Sequence, residues 1–314
     1  MKKSSSKRSR RSAKITPAVR YLRYEVTNSA NPGTETSHYI DLAKDLSVVN
    51  RRLYRQGRDY HVKKITIISS DTQNSGNRIS ASTIPGSWVS RGAWHRGKKT
   101  WDSMNKTASE SLTNDIAGTW SDFKVHMTND ARVATLLRPK DNGGNTYDEG
   151  EWTKSVFISP DGTTSDDSFS IHMMGDSVGS AGAWTSVSLT KSFGETRATV
   201  DNDQPNVPGD VSEDPLVNVF DYGTTIDEVI DQLEADNDNP PYNAADYPGD
   251  DGNGPKPQVV QDTTLVDGRA TMGGFQALLG LLEFEVKSPL ANDVYSILIE
   301  LAPGKYRGIK ADVV

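Results

Sequence analysis

The chain of 314 residues contains no cysteine, which excludes disulfide bonds and metal sites built from thiolates. No apolar run approaches the length of a membrane span, and the N-terminus lacks the apolar stretch of a signal peptide. The five histidines are scattered and show none of the short spacings typical of zinc sites. We therefore expect an intracellular protein, or one assembled inside a cell, without membrane insertion and without a thiolate or zinc centre.

Acidic side chains are absent from the first fourteen residues, which carry seven positive charges. Such a stretch buries too little apolar surface to offset the entropy of ordering, so we predict a disordered arm over residues 1–30. Flexible cations neutralise phosphates whatever the base sequence, because each contact releases condensed counterions. A nuclear-import signal and a solubilising tail are the alternatives. The predicted nucleic-acid-binding residues of the arm are Lys2, Lys3, Lys7, Arg8, Arg10, Arg11 and Lys14.

Four further arginines follow one another closely at Arg51, Arg52, Arg55 and Arg58. They are predicted to extend the basic surface, by contacting phosphates or by stacking beside Tyr54 on unpaired bases. The equally weighted alternative is a strand end held by salt bridges.

Basic residues are nearly absent from 201–262, where sixteen acids face a single lysine. A solvated insertion on the outer surface is the default interpretation of this range, because it is also rich in Pro, Gly and Asn. A sharper alternative is calcium held between subunits by carboxylate oxygens. No EF-hand loop is present, and no other cofactor is predicted. The candidate calcium ligands are Asp203, Asp236, Asp238, Asp250 and Asp251.

Apolar residues alternate with polar ones over many short segments separated by turn residues, a period of two that is typical of antiparallel sheets. No strand–helix–strand rhythm is present, so a parallel sheet is not expected. A helix is predicted over 90–110 and another over 225–235. The predicted strands are 38–50, 59–70, 78–84, 120–127, 152–158, 168–174, 184–192, 216–220, 275–286 and 293–301.

Two segments match catalytic patterns without the context that those patterns need. The segment 175–179 has the G-x-S-x-G spacing of a hydrolase nucleophile, but a further strand follows where a helix is required, so a glycine-rich hairpin loop is favoured. The segment 92–98 has the spacing of a phosphate-binding loop, but Lys99 replaces the Ser or Thr that binds magnesium, and Trp94 is too bulky for a loop that wraps phosphates. No catalytic residue is predicted.

Several blocks of the chain resemble capsid proteins of small circular single-stranded DNA viruses that encode a rolling-circle replication initiator, known largely from environmental genomes. The blocks are VNRRLYRQGRDYHVKKITI (49–67), ISASTIPGSWVSRGAWHRGKKTWDSM (79–104), GGFQALLGLLEFEV (273–286) and ILIELAPGKYRGIKADV (297–313). The acidic insertion has no part in the resemblance.

The resemblance implies an all-β fold: a single jelly roll, an antiparallel sandwich of eight main strands, with short helical insertions and the basic arm. Residues 31–314 would form the shell domain, and many copies would assemble into an icosahedral particle around a single-stranded DNA genome. It implies a virion protein that passes through the host nucleus during assembly. The alternatives are a monomeric nucleic-acid-binding β-sandwich and, with less support, a carbohydrate-binding jelly roll.

Overall fold

The computed structural model describes residues 16–69, 76–110, 122–158, 168–180, 183–195 and 257–314. Within these ranges the regular structure is mostly β-strand, in antiparallel sheets, with four helices. The strands are β1 (Tyr21–Thr27), β2 (Thr36–Asp41), β3 (Arg58–Ser69), β4 (Arg78–Thr83), β5 (Val156–Ile158), β6 (Ser168–His172), β7 (Ser186–Ser188), β8 (Gln258–Thr263), β9 (Arg269–Met272), β10 (Phe275–Leu278), β11 (Leu281–Lys287), β12 (Val294–Leu301), β13 (Pro303–Gly304), β14 (Gly308–Ile309) and β15 (Ala311–Val313). The helices are α1 (Leu42–Asn50), α2 (Trp88–Glu110), α3 (Asn129–Val133) and α4 (Leu189–Glu195).

The first large sheet is built around β3, its longest strand. Its order is β1-β12-β3, with β9 and β10 along the other side of β3 and β15 pairing with the start of β3. β9 and β10 keep one register against β3, since Met272 lies opposite Ile65 and Phe275 opposite Val62. A Cβ at Gly274 would lie 2.8 Å from the carbonyl oxygen of Lys63, so glycine permits the close approach.

The second large sheet has the order β2-β11-β4-β8, and it packs against the first sheet. The period of two predicted from the sequence is visible in β12, where Tyr295, Ile297, Ile299 and Leu301 are fully buried. They join inward-facing residues of the second sheet, such as Phe284, in one hydrophobic cluster. An antiparallel β-sandwich is therefore confirmed as the architecture of the described residues.

A second hydrophobic cluster lies outside the sandwich, under the connection between β4 and β8. This connection carries α2, α3, α4 and a small sheet of order β5-β6-β7, in which β6 and β7 are parallel. Trp94 of α2 and Phe123 are buried there, in one cluster with Tyr39 and Leu281 of the second sheet. The connection is thus packed onto the sandwich through its own apolar core.

The predicted strand over 38–50 is wrong beyond Asp41, where the chain turns into α1. Asp41 caps this helix by accepting a hydrogen bond from the Lys44 N–H at 3.2 Å. Leu42 and Leu46, one helical turn apart, are both fully buried. Helical spacing and the cap therefore outweigh the β propensity of Val48 and Val49.

The predicted strand over 120–127 is wrong in a different way, since only an isolated bridge between His126 and His172 is present in its described part. The alternation itself is real, because Phe123, Val125 and Met127 are buried. The side-chain amide of Gln56 replaces a partner strand: its Oε1 accepts from the Val125 N–H at 2.6 Å, and its Nε2 donates to the Val125 carbonyl at 3.0 Å.

Four further predictions shift in their boundaries. The predicted strand over 184–192 is β7 followed by α4, and the predicted strand over 275–286 is two strands, β10 and β11, separated by a turn at Leu279 and Gly280. The arm boundary at residue 30 is too late, because β1 already pairs with β12. The acidic insertion overlaps β8, where Asp262 forms an ion pair with Arg78 at 2.9 Å.

Other predicted elements are confirmed closely: the strands 59–70, 78–84, 168–174 and 293–301 and the helix 90–110. Of the predicted strand 152–158, only the second half is β5. The seven cations of the arm, the five candidate calcium ligands, the strand 216–220 and the helix 225–235 lie outside the described residues. Within the described part, no helix combines the length and the hydropathy that a membrane crossing requires.

Candidate nucleic-acid interface

The four arginines at 51, 52, 55 and 58, called here the arginine cluster, follow directly on α1. Arg51 ends the helix in the left-handed conformation with φ of 53°, and its N–H donates to the Ser47 carbonyl. This reversal turns the chain away from the helix axis and leaves Arg51 and Arg52 exposed.

The first described residues of the chain lie against this cluster. Arg52 Nη1 donates to the Pro17 carbonyl at 3.2 Å. The Val19 N–H donates to Asn50 Oδ1 at 2.7 Å, and Asn50 Nδ2 donates to the Val19 carbonyl at 3.0 Å. A Cβ at Gly308 would approach the Thr16 carbonyl to 2.4 Å, so this backbone also passes close by. The basic segment 1–14 therefore precedes a point of the chain that lies beside exposed arginines.

Arg55 and Arg58 both contact side chains of the same molecule, although Arg55 is itself exposed. Arg55 Nη1 lies 2.8 Å from Asp122 Oδ1, and the Arg58 guanidinium stacks 3.8 Å from the ring centroid of Tyr306. Tyr54 is fully buried and meets Tyr306 edge-on at 5.8 Å. Stacking of bases beside Tyr54 is therefore wrong, because its ring has no free face, and Arg55 fits the alternative of a salt-bridged strand end.

A groove of about 1000 Å³ opens next to Arg51 and Arg52, between α1, the second half of α2 and the extended segment 149–156. Arg51 and Arg52 line it, and the indoles of Trp101 and Trp152 contribute aromatic surface. Both tryptophans are partly buried. Trp101 packs on Phe123 with a centroid distance of 5.8 Å, which fixes its ring.

Behind the groove, Asp41 collects hydrogen bonds from side chains that are distant in sequence. Lys154 Nζ lies 2.5 Å, Trp152 Nε1 2.9 Å and Gln56 Nε2 3.1 Å from its Oδ2 atom. Burial alone raises the pKa of Asp41, but the Lys154 charge and these hydrogen bonds outweigh burial and lower its pKa. Asp41 therefore stays ionised and positions both Trp152 and Lys154.

Asp45, one turn further along α1, has a raised pKa where Asp41 has a lowered one. Burial raises its pKa to about 8, although Lys44 lies 4.0 Å away and the Tyr24 hydroxyl donates to it at 2.6 Å. Lys44 instead pairs with Glu149 across the groove wall at 2.8 Å. Asp45 is thus protonated at neutral pH, whereas Asp41 is charged.

Lys124 is the third buried cation of the groove wall, after Lys44 and Lys154. It is 8% exposed, and its Nζ donates to the Asp122 backbone carbonyl at 3.3 Å. The same atom lies 5.2 Å from the Trp152 ring, within cation–π range. Burial lowers the pKa of Lys124. In the described ranges, no carboxylate lies within 4.0 Å of its ammonium, in contrast to Lys44 and Lys154.

The two catalytic patterns fall in structures without the corresponding geometry. The hairpin expected at 175–179 is confirmed, since Val178 and Ser186 exchange backbone hydrogen bonds across the loop as in an antiparallel pair. Ser177 Oγ accepts from the Ser188 N–H at 3.1 Å, while His172 bonds Ser186 at 2.7 Å, with both of these side chains buried. Residues 92–98 lie within α2, where the backbone N–H groups serve the helix rather than a phosphate.

Sequence reasoning located the arginine cluster but missed the groove beside it. Lys44, Lys124 and Lys154 come from three separate segments, and Trp101 and Trp152 from two. A local signal existed only in 149–155, where Trp152 stands among charged residues. Among the residues that the structure describes, no group of three or more His, Cys, Asp or Glu is arranged to hold a metal ion.

Comparisons of the chain with protein-family models, with curated proteins and with solved structures found no match.

Proposed function

We propose that this chain is a viral capsid subunit that assembles into an icosahedral shell and packages single-stranded DNA through its basic N-terminal segment. The carrying observation is the position of residues 16–19, which follow that segment in the chain. Pro17 lies against Arg52, and Arg51 and Arg52 are both exposed, so the proposed arm and these two arginines would act as one basic region. Such a region suits sequence-independent neutralisation of a packaged genome.

The order of the strands supports a jelly roll. Counting β9 and β10 as one strand, the eight main strands of the sandwich pair as first with eighth, second with seventh, third with sixth and fourth with fifth. The sheets then have the orders 1-8-3-6 and 2-7-4-5. This nesting is the double Greek key that jelly rolls of viral shells and lectins share.

The distribution of exposed apolar side chains favours assembly over the carbohydrate-binding alternative. They are spread over several elements and loops, among them Trp88 of α2, Ile158 of β5, Val266 and Leu290. A sugar-binding sandwich is expected to concentrate aromatic rings on one face, whereas subunits of a closed shell contact several neighbours through different edges. The proposed mechanism is burial of these edges between copies, with no catalytic step.

The test is size-exclusion chromatography of the full chain with absorbance at 260 and 280 nm, followed by negative-stain imaging. Uniform particles with raised 260 nm absorbance are expected. Deleting residues 1–14 is expected to leave particles that contain much less nucleic acid. A matched control scrambles the order of residues 2–14 and keeps their charge, and it should package normally because charge neutralisation does not read sequence.

Three outcomes would contradict part or all of this proposal. A monomer that binds oligonucleotide, with an affinity that falls steeply with salt, would establish the monomeric nucleic-acid-binding module instead. Truncated particles with a full nucleic-acid content would contradict the role of the arm. A monomer that ignores nucleic acid under all salt conditions would overturn the whole proposal.

A further inference from the structure

The groove contains cations that no carboxylate contacts directly, although Asp122 and Glu151 also lie in its wall and attract Lys124 from a longer distance. Of the lysines in its wall, Lys44 and Lys154 have carboxylate partners at 2.8 and 2.5 Å. Arg51, Arg52 and Lys124 have no carboxylate within 4.0 Å among the described residues. A buried ammonium without a counterion is costly, and an anionic ligand in the groove would offset that cost.

The same groove has flat aromatic surface next to these cations. Trp101 is held by Phe123, and Trp152 is fixed through its Nε1–H bond to Asp41. Rings that are already fixed lose little conformational entropy when another ring stacks on them. A volume of about 1000 Å³ exceeds the needs of one nucleotide and is within the range of small-molecule sites.

We propose that this groove binds a nucleotide of single-stranded nucleic acid, with the base against Trp101 and Trp152 and the backbone phosphates on Arg51 and Arg52. Such a ligand combines the two properties that the groove offers separately, a flat apolar ring and a neighbouring anion. An apolar peptide segment would offer no anion to Arg51, Arg52 or Lys124. The proposal rests on the proposed function and adds to it a defined contact site on the folded domain.

The entry point of the chain strengthens the inference. Arg52 lines the groove and also binds the Pro17 carbonyl, so a strand captured by residues 1–14 is held within a short distance of the groove. Tethering of this kind raises the effective concentration of the strand at the second site. The arm would supply most of the affinity, and the groove would fix the path of the strand on each subunit.

The test uses the full chain and a deoxythymidine oligonucleotide that contains 5-iodouracil. Ultraviolet cross-linking and peptide mapping are expected to place cross-links on Trp101 or Trp152 as well as on the arm. The double variant Arg51→Asn with Arg52→Gln removes two cations, and asparagine tolerates the left-handed conformation at position 51. We expect about tenfold weaker binding at moderate salt and a salt slope reduced by roughly 1.4, the contribution of two phosphate contacts to a single strand.

The matched control is Lys64→Gln with Arg269→Gln, which removes two exposed cations from strands of the first large sheet, outside the groove lining. It should keep the tryptophan cross-links and nearly all of the affinity. Lys124→Met, which preserves the apolar stem of the side chain, should weaken binding without changing the far-ultraviolet circular dichroism.

The outcomes distinguish the groove from the arm. Cross-links confined to residues 1–15, together with unchanged affinity in the Arg51→Asn, Arg52→Gln variant, would overturn the groove and leave packaging by the arm intact. Failure of the full chain to bind oligonucleotide at any salt concentration would instead contradict the proposed function itself.

Discussion

The two ends of the sandwich differ in how they satisfy their polar groups. At the short-loop end, connections 28–35 and 288–293 bond to each other through their backbones, for example from the Asn28 N–H to the Asp293 carbonyl at 2.8 Å. The Asp293 carboxylate also accepts from Ser288 at 2.9 Å and from Ser69 at 3.2 Å. At the groove end, which carries residues 16–20, α1 and the groove, buried charges pair with one another or remain without a carboxylate in direct contact. The described polar groups of the first end bond to one another, whereas the proposed binding groove lies at the other end.

This difference separates stability from binding within one domain. Hydrogen bonds among short loops fix the strand ends, because each loop satisfies the backbone groups of its neighbour. Buried ion pairs contribute less net stability, since desolvation offsets much of their attraction, but breaking one partner is expensive. Substitutions at the two ends should therefore differ in size, in pH dependence and in their effect on ligands.

The largest effect is expected from Asp41→Ala at the groove end. This substitution leaves the Lys154 ammonium without its carboxylate partner and removes the cap of α1. It also removes the hydrogen-bond acceptor of the Trp152 indole N–H. The free energy of unfolding should fall by about 3–5 kcal/mol, as for other broken buried pairs. Urea denaturation measures it, with the exposed Asp148→Ala as control. A loss below about 1 kcal/mol would show that the network contributes little.

The second effect concerns pH and also belongs to the groove end. Asp45 has a folded pKa of about 8, above the unfolded value near 3.9, so the folded state retains a proton that the unfolded state has lost. Its contribution is complete below pH 4 and declines as pH rises towards 8. The wild type should lose about 2 kcal/mol relative to Asp45→Asn between pH 6 and 8. Parallel stability curves for the two proteins would contradict this assignment.

A third, smaller effect is expected at the short-loop end. Asp293→Ala leaves the hydroxyls of Ser69 and Ser288 without this acceptor and should cost about 1–2 kcal/mol. Unlike Asp41→Ala, it should leave oligonucleotide affinity unchanged once folding is complete. Combined denaturation and binding titrations measure both quantities, and a matching loss of affinity would break the proposed division between the ends.

The smallest effect has the opposite sign. Arg51 occupies the left-handed region, where a side chain is disfavoured and glycine is not. Arg51→Gly should therefore raise the free energy of unfolding by about 0.5 kcal/mol while weakening oligonucleotide binding. Arg52→Gly serves as the comparison, since Arg52 has no positive φ and should not be stabilised. Equal responses of the two variants would show that the strain at Arg51 is negligible.

The sequence predicted the elements whose signal is local. β3, β4, β12 and α2 have clear periodicity and turn residues at their ends, and the structure has them where the pattern puts them. The segment around Val125 was misjudged because its backbone partner is the side chain of Gln56, about seventy residues away, and no local pattern reveals this. The groove was missed for the same reason: its cations and tryptophans meet only through tertiary packing.

The long connection between β4 and β8 has a consequence for the evolution of the sequence, because it is the place where changes of length disturb the sheets least. Thr83 and Gln258 lie opposite each other in neighbouring strands, so the excursion of residues 84–257 leaves and returns to the sheet at one place. The entropic penalty for closing a loop grows only with the logarithm of its length. Insertions and deletions there need to keep Tyr39 and Leu281 covered and to leave Lys154 in contact with Asp41. The length and charge of the excursion can thus vary between related sequences, while the strand pairing of the two large sheets stays the same.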